Sequence, residues 1–455
     1  MSKGLTLARA FYRAGHRVIG ADFEPYLIPV SGHFSKSIEK FYRLARPTPR
    51  GGSADYIRDI LTVIAEEGVE LWVSCSGIAS AVEDGEAAEY IEKETKCKAI
   101  QYGSSLTETL HEKHSFINHT KNIGLNVPIT HLVTSETEAL SALYPSAKSS
   151  PRLEKPTSFG NDKYIMKPVG TDDSTRSDMT LLPLSSLRET EAHVKTLNPT
   201  PFRPFVLQQF ISGQEYCTHS LLLNGKVKCF VACPSSDLLM HYIALPTSSA
   251  LSQAMQNYTM QYARKTTPSM TGHFSLDFLV PSNVARKAEQ SFGASEQEIQ
   301  ALMRDLYPIE CNPRAHTAVV LFSDESEDLA EAYLEYLPGK EPKGISNNHR
   351  DPCQIVVPRP SVPGYYWIHH DIPTLLLLPI LRCLRRESSV EEVIDSWTTF
   401  AGHILFWRDG NWASWDPWPW WWSIVGYWPA MFAVSLWERR WWSRCNVSTG
   451  KLFAC

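Results

Sequence analysis

The feature that most constrains this chain is the alternation in its first hundred residues. Amphipathic helical segments and short apolar runs take turns there. The opening, through Phe11, reads as an amphipathic helix that stops near Gly15, and Gly is a common helix terminator. Residues 17–22 follow as a buried strand. Residues 54–67 read as a second helix, with Ile57, Ile60, Leu61 and Ile64 on one face and Ser53 as the expected N-cap. A strand over 69–74, a helix over 83–93 and a strand over 98–101 complete the series. Such alternation predicts a parallel α/β sheet. The order begins with a helix where such a sheet begins with a strand, so a strand ahead of Lys3 is expected to be missing.

The pattern changes after residue 104. A helix from Ser105 carries Leu106, Leu110, Lys113 and Phe116, and residues 144–162, polar and with three prolines, read as an exposed loop. Strands are expected over 164–169 and 205–211, and Asn224-Gly225 is a strong hairpin signal. Strands around Asp277 and Glu310 flank a helical stretch over 296–304. This region reads as α+β with an antiparallel sheet. Residues 338–364, rich in Pro, Gly and charge, mark a boundary. Beyond it come a helix over 390–400 and a hairpin turning at Asp409-Gly410. The expected domains are therefore 1–104, 105–345 and 346–455.

Composition excludes some functions. A net charge of −5 gives a nucleic-acid partner no electrostatic support. The ten cysteines contain no C-x-x-C pair, and the closest two, Cys229 and Cys233, would share a strand face as core residues. A chain this long does not need disulfides, so reduced thiols and a cytoplasmic location are expected. No secretory-signal pattern is present, and the sequons at Asn118 and Asn446 read as chance matches.

Three residues carry the chemistry. Asp277, Glu310 and Asn312 each lie near the middle of an apolar, strand-like run. Carboxylate and carboxamide oxygens so placed suit Mg²⁺, which takes its remaining ligands from water and from a nucleotide's phosphates. Without a cation two converging carboxylates repel, and one tends to hold a proton. Lys167, inside an apolar strand, needs an anion to meet its ammonium. Arg314 offers a planar fork for oxyanions. His316 reads either as a further pocket group or as a satisfied structural histidine.

Taken in order, Lys113, Lys167, the segment from Gln208 to Glu215, Asp277 and the run Glu310-Cys311-Asn312-Pro313-Arg314 resemble the motif series of the ATP-grasp superfamily, over roughly two thirds of the chain. The resemblance implies a Rossmann-like pre-ATP-grasp domain and a two-lobed ATP-grasp domain, and the composition of the tail adds a Trp-rich C-terminal cap. It implies ATP and Mg²⁺ as cofactors. Lys113 and Lys167 would meet phosphates. Gln208, Gln209, Phe210 and Ile211 would meet the adenine, and Glu215 the ribose. Asp277, Glu310 and Asn312 would hold the metal, and Arg314, Lys167 and His316 would form the catalytic set. The sequence departs from the family after Lys167, where residues 170–176 hold one Gly and two acids; Arg176 is the expected substitute cation there. An Asn-x-Arg followed by Glu-His, the carboxylase pattern, is absent. The opening residues and the tail look like the free-standing carbamoyl-phosphate-synthase-like group, with the mycosporine-glycine synthase type as functional analogue. The implied activity is an ATP-dependent ligase that phosphorylates an acid or enol oxygen and couples it to an amine. The alternatives are a nucleotide-binding scaffold without chemistry and a membrane-docked protein.

The membrane alternative rests on the tail. Ten of the fourteen tryptophans lie between Trp412 and Trp442, and residues 418–437 are twenty positions without a charge. That length is about 30 Å of helix, enough to span a bilayer. Pro419, Pro429 and six tryptophans argue against spanning, since Trp prefers the headgroup interface. A hydrophobic cap is expected, with peripheral membrane contact through Trp412–Trp442 as the other reading.

Overall fold

A computed structural model describes residues 2–48, 52–77, 80–145, 163–169, 178–235, 240–339, 354–439, 442–446 and 451–454. Helix α1 (Ser2–Arg13) buries Leu5, Leu7, Ala8 and Ala10. Strands β1 (Ile19–Asp22) and β2 (Lys40–Arg43) pair in parallel. Helix α2 (Ala54–Glu67) buries Ile57, Ile60 and Ile64 and ends at Gly68 with φ 63°, a left-handed cap that glycine adopts without penalty. Ser53 stands at the expected N-cap position, but its hydroxyl donates to Glu86 of the next helix rather than accepting from its own. Strand β3 (Leu71–Val73), helix α3 (Ala81–Glu94) and strand β4 (Lys98–Ile100) follow, with β3 and β4 again parallel.

These strands form two pairs rather than one sheet, since β1 and β3 do not bond to each other. A cavity of about 1230 Å³ lies between them, walled by Gly20 and Ala21, by Trp72 and Val73, and by Leu7 and Ile64 of the flanking helices. The parallel pairing matches the expected alternation, and the interruption falls beside the first helix.

The long helix expected from Ser105 is two helices, α4 (Ser104–His111) and α5 (Lys113–Asn122). Glu112 breaks it. Its carboxylate accepts from the Ser115 amide at 2.7 Å, capping α5. Lys113 therefore starts a helix instead of lying along the side of one.

Strands β5 (Thr130–Val133), β6 (Tyr164–Pro168) and β7 (Phe205–Gln209) form an antiparallel sheet in the order β5-β7-β6. Helices Glu136–Leu143 and Leu187–Leu197 cover it through a small core of Val133, Leu143, Val194 and Leu207. A second antiparallel sheet contains β8 (Gly213–Leu223), β9 (Lys226–Pro234), β10 (Gly272–Pro281) and β11 (Tyr307–Asn312), in the order β11-β10-β8-β9. The expected hairpin turns at Asn224 and Gly225, both at positive φ (49° and 72°).

Strand alternation gives the larger sheet two cores. Tyr216, Phe274, Leu276 and Phe278 pack on one face with helix Ala250–Thr266. Cys217, Leu221, Cys229 and Cys233 face the other, with α1 and the segment after residue 315. At Gly213 a Cβ would lie 2.1 Å from the Val280 carbonyl oxygen. Gly213→Ala must push two backbones apart. It is expected to cost about 1–3 kcal/mol, read as a lower urea midpoint at unchanged m-value.

In the C-terminal region, helix Ile368–Asp371 continues through a π-helical segment, Ile372–Leu377, into Leu378–Leu384, and Val390–Phe406 returns beside it. The expected hairpin at Asp409-Gly410 is replaced by a parallel pairing of Arg408–Asp409 with Tyr365–Tyr366. Gly410 is needed there because Trp367 would lie 2.3 Å from a Cβ. The Trp-rich stretch runs as Trp418–Trp422, Ser423–Tyr427 and Trp428–Trp437. Tyr427, Trp428 and Met431 enter the same core as α1. Trp422 donates to the Pro29 carbonyl at 2.7 Å and packs 4.5 Å from Phe34. Among the described residues no helix is long and apolar enough to cross a membrane.

Candidate active site

Asp277 sits on β10 opposite Glu310 of β11, and Ser275 sits opposite Asn312. A bulge creates this alignment. Phe278 pairs with Pro308, yet Asp277 pairs with Glu310, so Ile309 is an extra residue. Without it Glu310 would point into the apolar core with Phe278. With it, Glu310 and Asn312 share the face of Asp277, and Cys311 takes the core side.

The Asn312 amide donates to Asp277 Oδ2 at 3.1 Å. Asp277 Oδ1 and Asn312 Oδ1 are both buried without a hydrogen-bond partner, and so is Arg314 Nη1. Buried polar atoms are nearly always partnered, so three orphans on neighbouring residues mark a place built for something else. Burial, then the charges of Glu310 and Glu215, push the Asp277 carboxyl well above the usual carboxylate range. Arg314 and Lys113 oppose that push. Lys113 Nζ bridges to Glu310 Oε2 at 2.7 Å, both side chains partly exposed. The break at Glu112 makes this reach possible.

The structure thus brings Lys113, Glu215, Asp277, Glu310, Asn312 and Arg314 into one electrostatic neighbourhood. Glu215 is exposed at the start of β8, where its carboxylate accepts from the Ser235 hydroxyl at 3.0 Å. Lys167 lies on β6, paired with Val206 of β7, and is half-buried. Gln208 is buried and donates to the Thr130 hydroxyl at 3.3 Å; Gln209 Oε1 accepts from the Ile129 amide at 3.2 Å. Phe210 and Ile211 then carry the chain from the small sheet to β8. These five residues occupy the smaller sheet and the connection between sheets, apart from the carboxylate pair. Arg176 lies outside the described residues.

His316 is buried. Its Nδ1 accepts from the Ala318 amide at 3.3 Å, capping the 3₁₀ segment Thr317–Glu325. Its own amide donates to His219 Nδ1 at 3.3 Å. His219 and His273 pack 5.5 Å apart beneath the sheet. Burial lowers all three histidines, His219 to about 3, so they are neutral. Of the two readings of His316, the contacts are those of a satisfied structural histidine.

Two residues near Arg314 escaped the sequence reading. Burial, then Arg314, lowers His111 at the end of α4. Lys3 is buried in the first turn of α1, donates to the Ser76 carbonyl at 2.6 Å, and is lowered to about 7 by burial and then by Arg314. A lysine at a helix N-terminus, where the dipole disfavours a cation, was the available signal for Lys3. Asp84 lies nearby, bonded by Ser74 at 2.6 Å and Tyr56 at 2.5 Å, and burial raises it to about 6.

No protein-family model and no curated protein matches the chain. Among solved structures it is similar to an L-amino acid ligase from Bacillus licheniformis, at 15% identity and a TM-score of 0.43, over 72% of this chain and 70% of that one. It is similar to an N5-carboxyaminoimidazole ribonucleotide synthetase in its ADP complex, at 15% identity and a TM-score of 0.48, over 73% and 74%. It is also similar to the biotin carboxylase domain of a single-chain bacterial carboxylase, at 13% identity and a TM-score of 0.49, over 80% and 71%.

Proposed function

We propose that this protein is an ATP- and Mg²⁺-dependent ligase of the ATP-grasp type. The observation that carries this reading is the trio of orphaned buried atoms, Asp277 Oδ1, Asn312 Oδ1 and Arg314 Nη1. Two oxygens and a guanidinium nitrogen left without partners on neighbouring residues fit a hard cation and the oxyanion it accompanies. A divalent ion there would let Asp277 and Glu310 both ionise, against the burial and the repulsion that now raise Asp277.

In this reading Asp277, Glu310 and Asn312 hold Mg²⁺, whose chemistry is to neutralise the nucleotide's phosphates. Lys113 and Lys167 add positive charge beside the phosphates, and Arg314 meets the oxygens of the transferred group. Gln208 through Ile211, joining the two sheets, meet the adenine edge, and Glu215 the ribose. Arg176 is a further candidate cation for the phosphates. His316 acts from behind, fixing the loop that carries Arg314. The γ-phosphoryl group of ATP passes to a carboxylate or enol oxygen, releasing ADP. An amine then attacks the activated carbon, phosphate leaves, and the amine loses a proton. The chain's contribution is positioning and charge neutralisation. The acceptor lies toward Lys3 and Ser76, at the carboxyl ends of β1 and β3, where parallel sheets bind their ligands.

Calorimetric titration with MgATP, followed by a phosphate-release screen across carboxylic acids paired with amino acids, tests the proposal. Saturable binding and acid-plus-amine-dependent release are expected. Binding without release under every pair would favour the scaffold, and absent binding would overturn the nucleotide site itself.

A further inference from the structure

The helical hairpin over residues 368–406 buries unusual residues. All its positions are described, and only His370, Asp371 and His403 are buried. Leu377, Leu381, Leu384, Ile394, Leu405 and Phe406 are exposed. Packed helices normally bury an apolar stripe. Here the buried contact is polar. His403 Nδ1 lies 2.6 Å from Asp371 Oδ2, and His370 Nδ1 lies 3.3 Å from Asp371 Oδ1.

A third segment joins them. His241 follows β9, and its neighbour Tyr242 is pinned by backbone hydrogen bonds to Tyr365. His241 Nε2 lies 2.8 Å from Asp371 Oδ1. The ligating atoms of His241, His370 and Asp371 all fall within 4.8 Å of one another. The His241 and His403 rings are 4.6 Å apart, and Trp407 stands 4.3 Å from His403 and edge-on to His241 at 5.8 Å. The helix passes into π geometry at Ile372, immediately after Asp371; such turns recur at functional sites.

We propose that His241, His370 and Asp371 bind one divalent transition metal of the zinc class, which fixes the 368–406 hairpin to the β-sheet region, while His403 positions Asp371 through its other carboxylate oxygen. Two imidazoles and one carboxylate, with water in the fourth position, match zinc's nitrogen-rich, four-coordinate sites, whereas Mg²⁺ prefers oxygen. Donor atoms around tetrahedral zinc, with bonds of about 2.0–2.1 Å, sit about 3.3 Å apart. His241 and His370 lie 2.8 and 3.3 Å from Asp371 Oδ1 and the three ligating atoms stay within 4.8 Å of one another, so an ion requires only a small rearrangement. On binding, His241 and His370 present nitrogen lone pairs to the metal, their displaced protons pass to solvent, and His403 keeps its contact with Asp371 Oδ2. A hairpin with no fully buried apolar residue of its own gains from metal what a core would otherwise supply. His241, its side chain 23% exposed, gives the entry path. The site shares no residue with the Asp277–Glu310 pair.

The test uses the full chain after chelator treatment, titrated with Zn²⁺ by calorimetry and with Co²⁺ by visible spectroscopy. One equivalent of zinc, tetrahedral cobalt bands and slower amide exchange over 368–406 are expected. His241→Ala and His403→Ala should each weaken zinc at least about tenfold, while Glu310→Ala leaves zinc binding unchanged. His241 is at the partly exposed mouth, so its variant should keep the metal-free melting temperature. No stoichiometric zinc in the parent protein, or parental zinc affinity in both histidine variants, overturns the proposal.

Discussion

Glu310→Ala is expected to lower MgATP turnover by roughly 10³-fold or more while leaving the fold in place. The two halves of this expectation have different causes. Glu310 is partly exposed and bonded to Lys113 at 2.7 Å, so truncating it opens no apolar cavity. It also removes a charge beside Asp277, which relieves part of the rise in that carboxyl and leaves burial, the larger cause, in place. The parent's melting temperature should therefore hold to within about 4 °C, the shift of a ~1 kcal/mol change. Turnover fails because the proposed metal loses one of its two carboxylates and Lys113 loses the partner that aims it. Asp277→Asn should show the same loss of turnover, with a change in stability of either sign, since it exchanges a raised buried carboxyl for an amide. Phosphate release measured beside thermal unfolding separates the effects. Full turnover in Glu310→Ala would remove the ATP-grasp reading.

The residue types of this site were legible in the sequence, but their convergence was not. Asp277, Glu310 and Asn312 stood out because polar oxygens inside apolar strands need a reason. The bulge at Ile309 was invisible, because it depends on pairing between strands thirty positions apart. Lys113 was read on the face of one long helix; Glu112, an ordinary helix-surface residue in a periodicity argument, instead caps a second helix and turns Lys113 toward Glu310. The parallel pairs β1-β2 and β3-β4 follow from helix–strand alternation, a local signal. The pairing of Arg408–Asp409 with Tyr365–Tyr366 joins segments forty residues apart, and local turn chemistry at Asp409-Gly410 pointed to the wrong partner. The histidine–aspartate cluster was missed for the same reason. His241 and His403 are 162 positions apart, and neither sits in a metal-ligand spacing.

Trp428→Ala is expected to destabilise the whole chain by about 3–5 kcal/mol, the cost of emptying a buried aromatic site. Trp437→Ala should change stability by no more than about 0.5 kcal/mol. Both belong to one uncharged, Trp-rich helix, and their surroundings differ completely. Trp428 is 4% exposed and Trp437 89% exposed. Trp428 packs against Tyr427 at 5.6 Å and Phe432 at 5.7 Å, in a core that also holds Leu7, Phe322 and Tyr333. That core joins the tail, α1 and the segment beyond His316, so the loss should appear as one cooperative transition at a lower denaturant midpoint. A segment whose tryptophans served a lipid interface would behave in the opposite way: the exposed ring would control vesicle binding and the inner ring would matter little to folding. Unfolding of the two variants, with vesicle flotation of each, decides between these outcomes. Equal stability of Trp428→Ala and Trp437→Ala, with flotation lost only in the latter, would make the tail a membrane element.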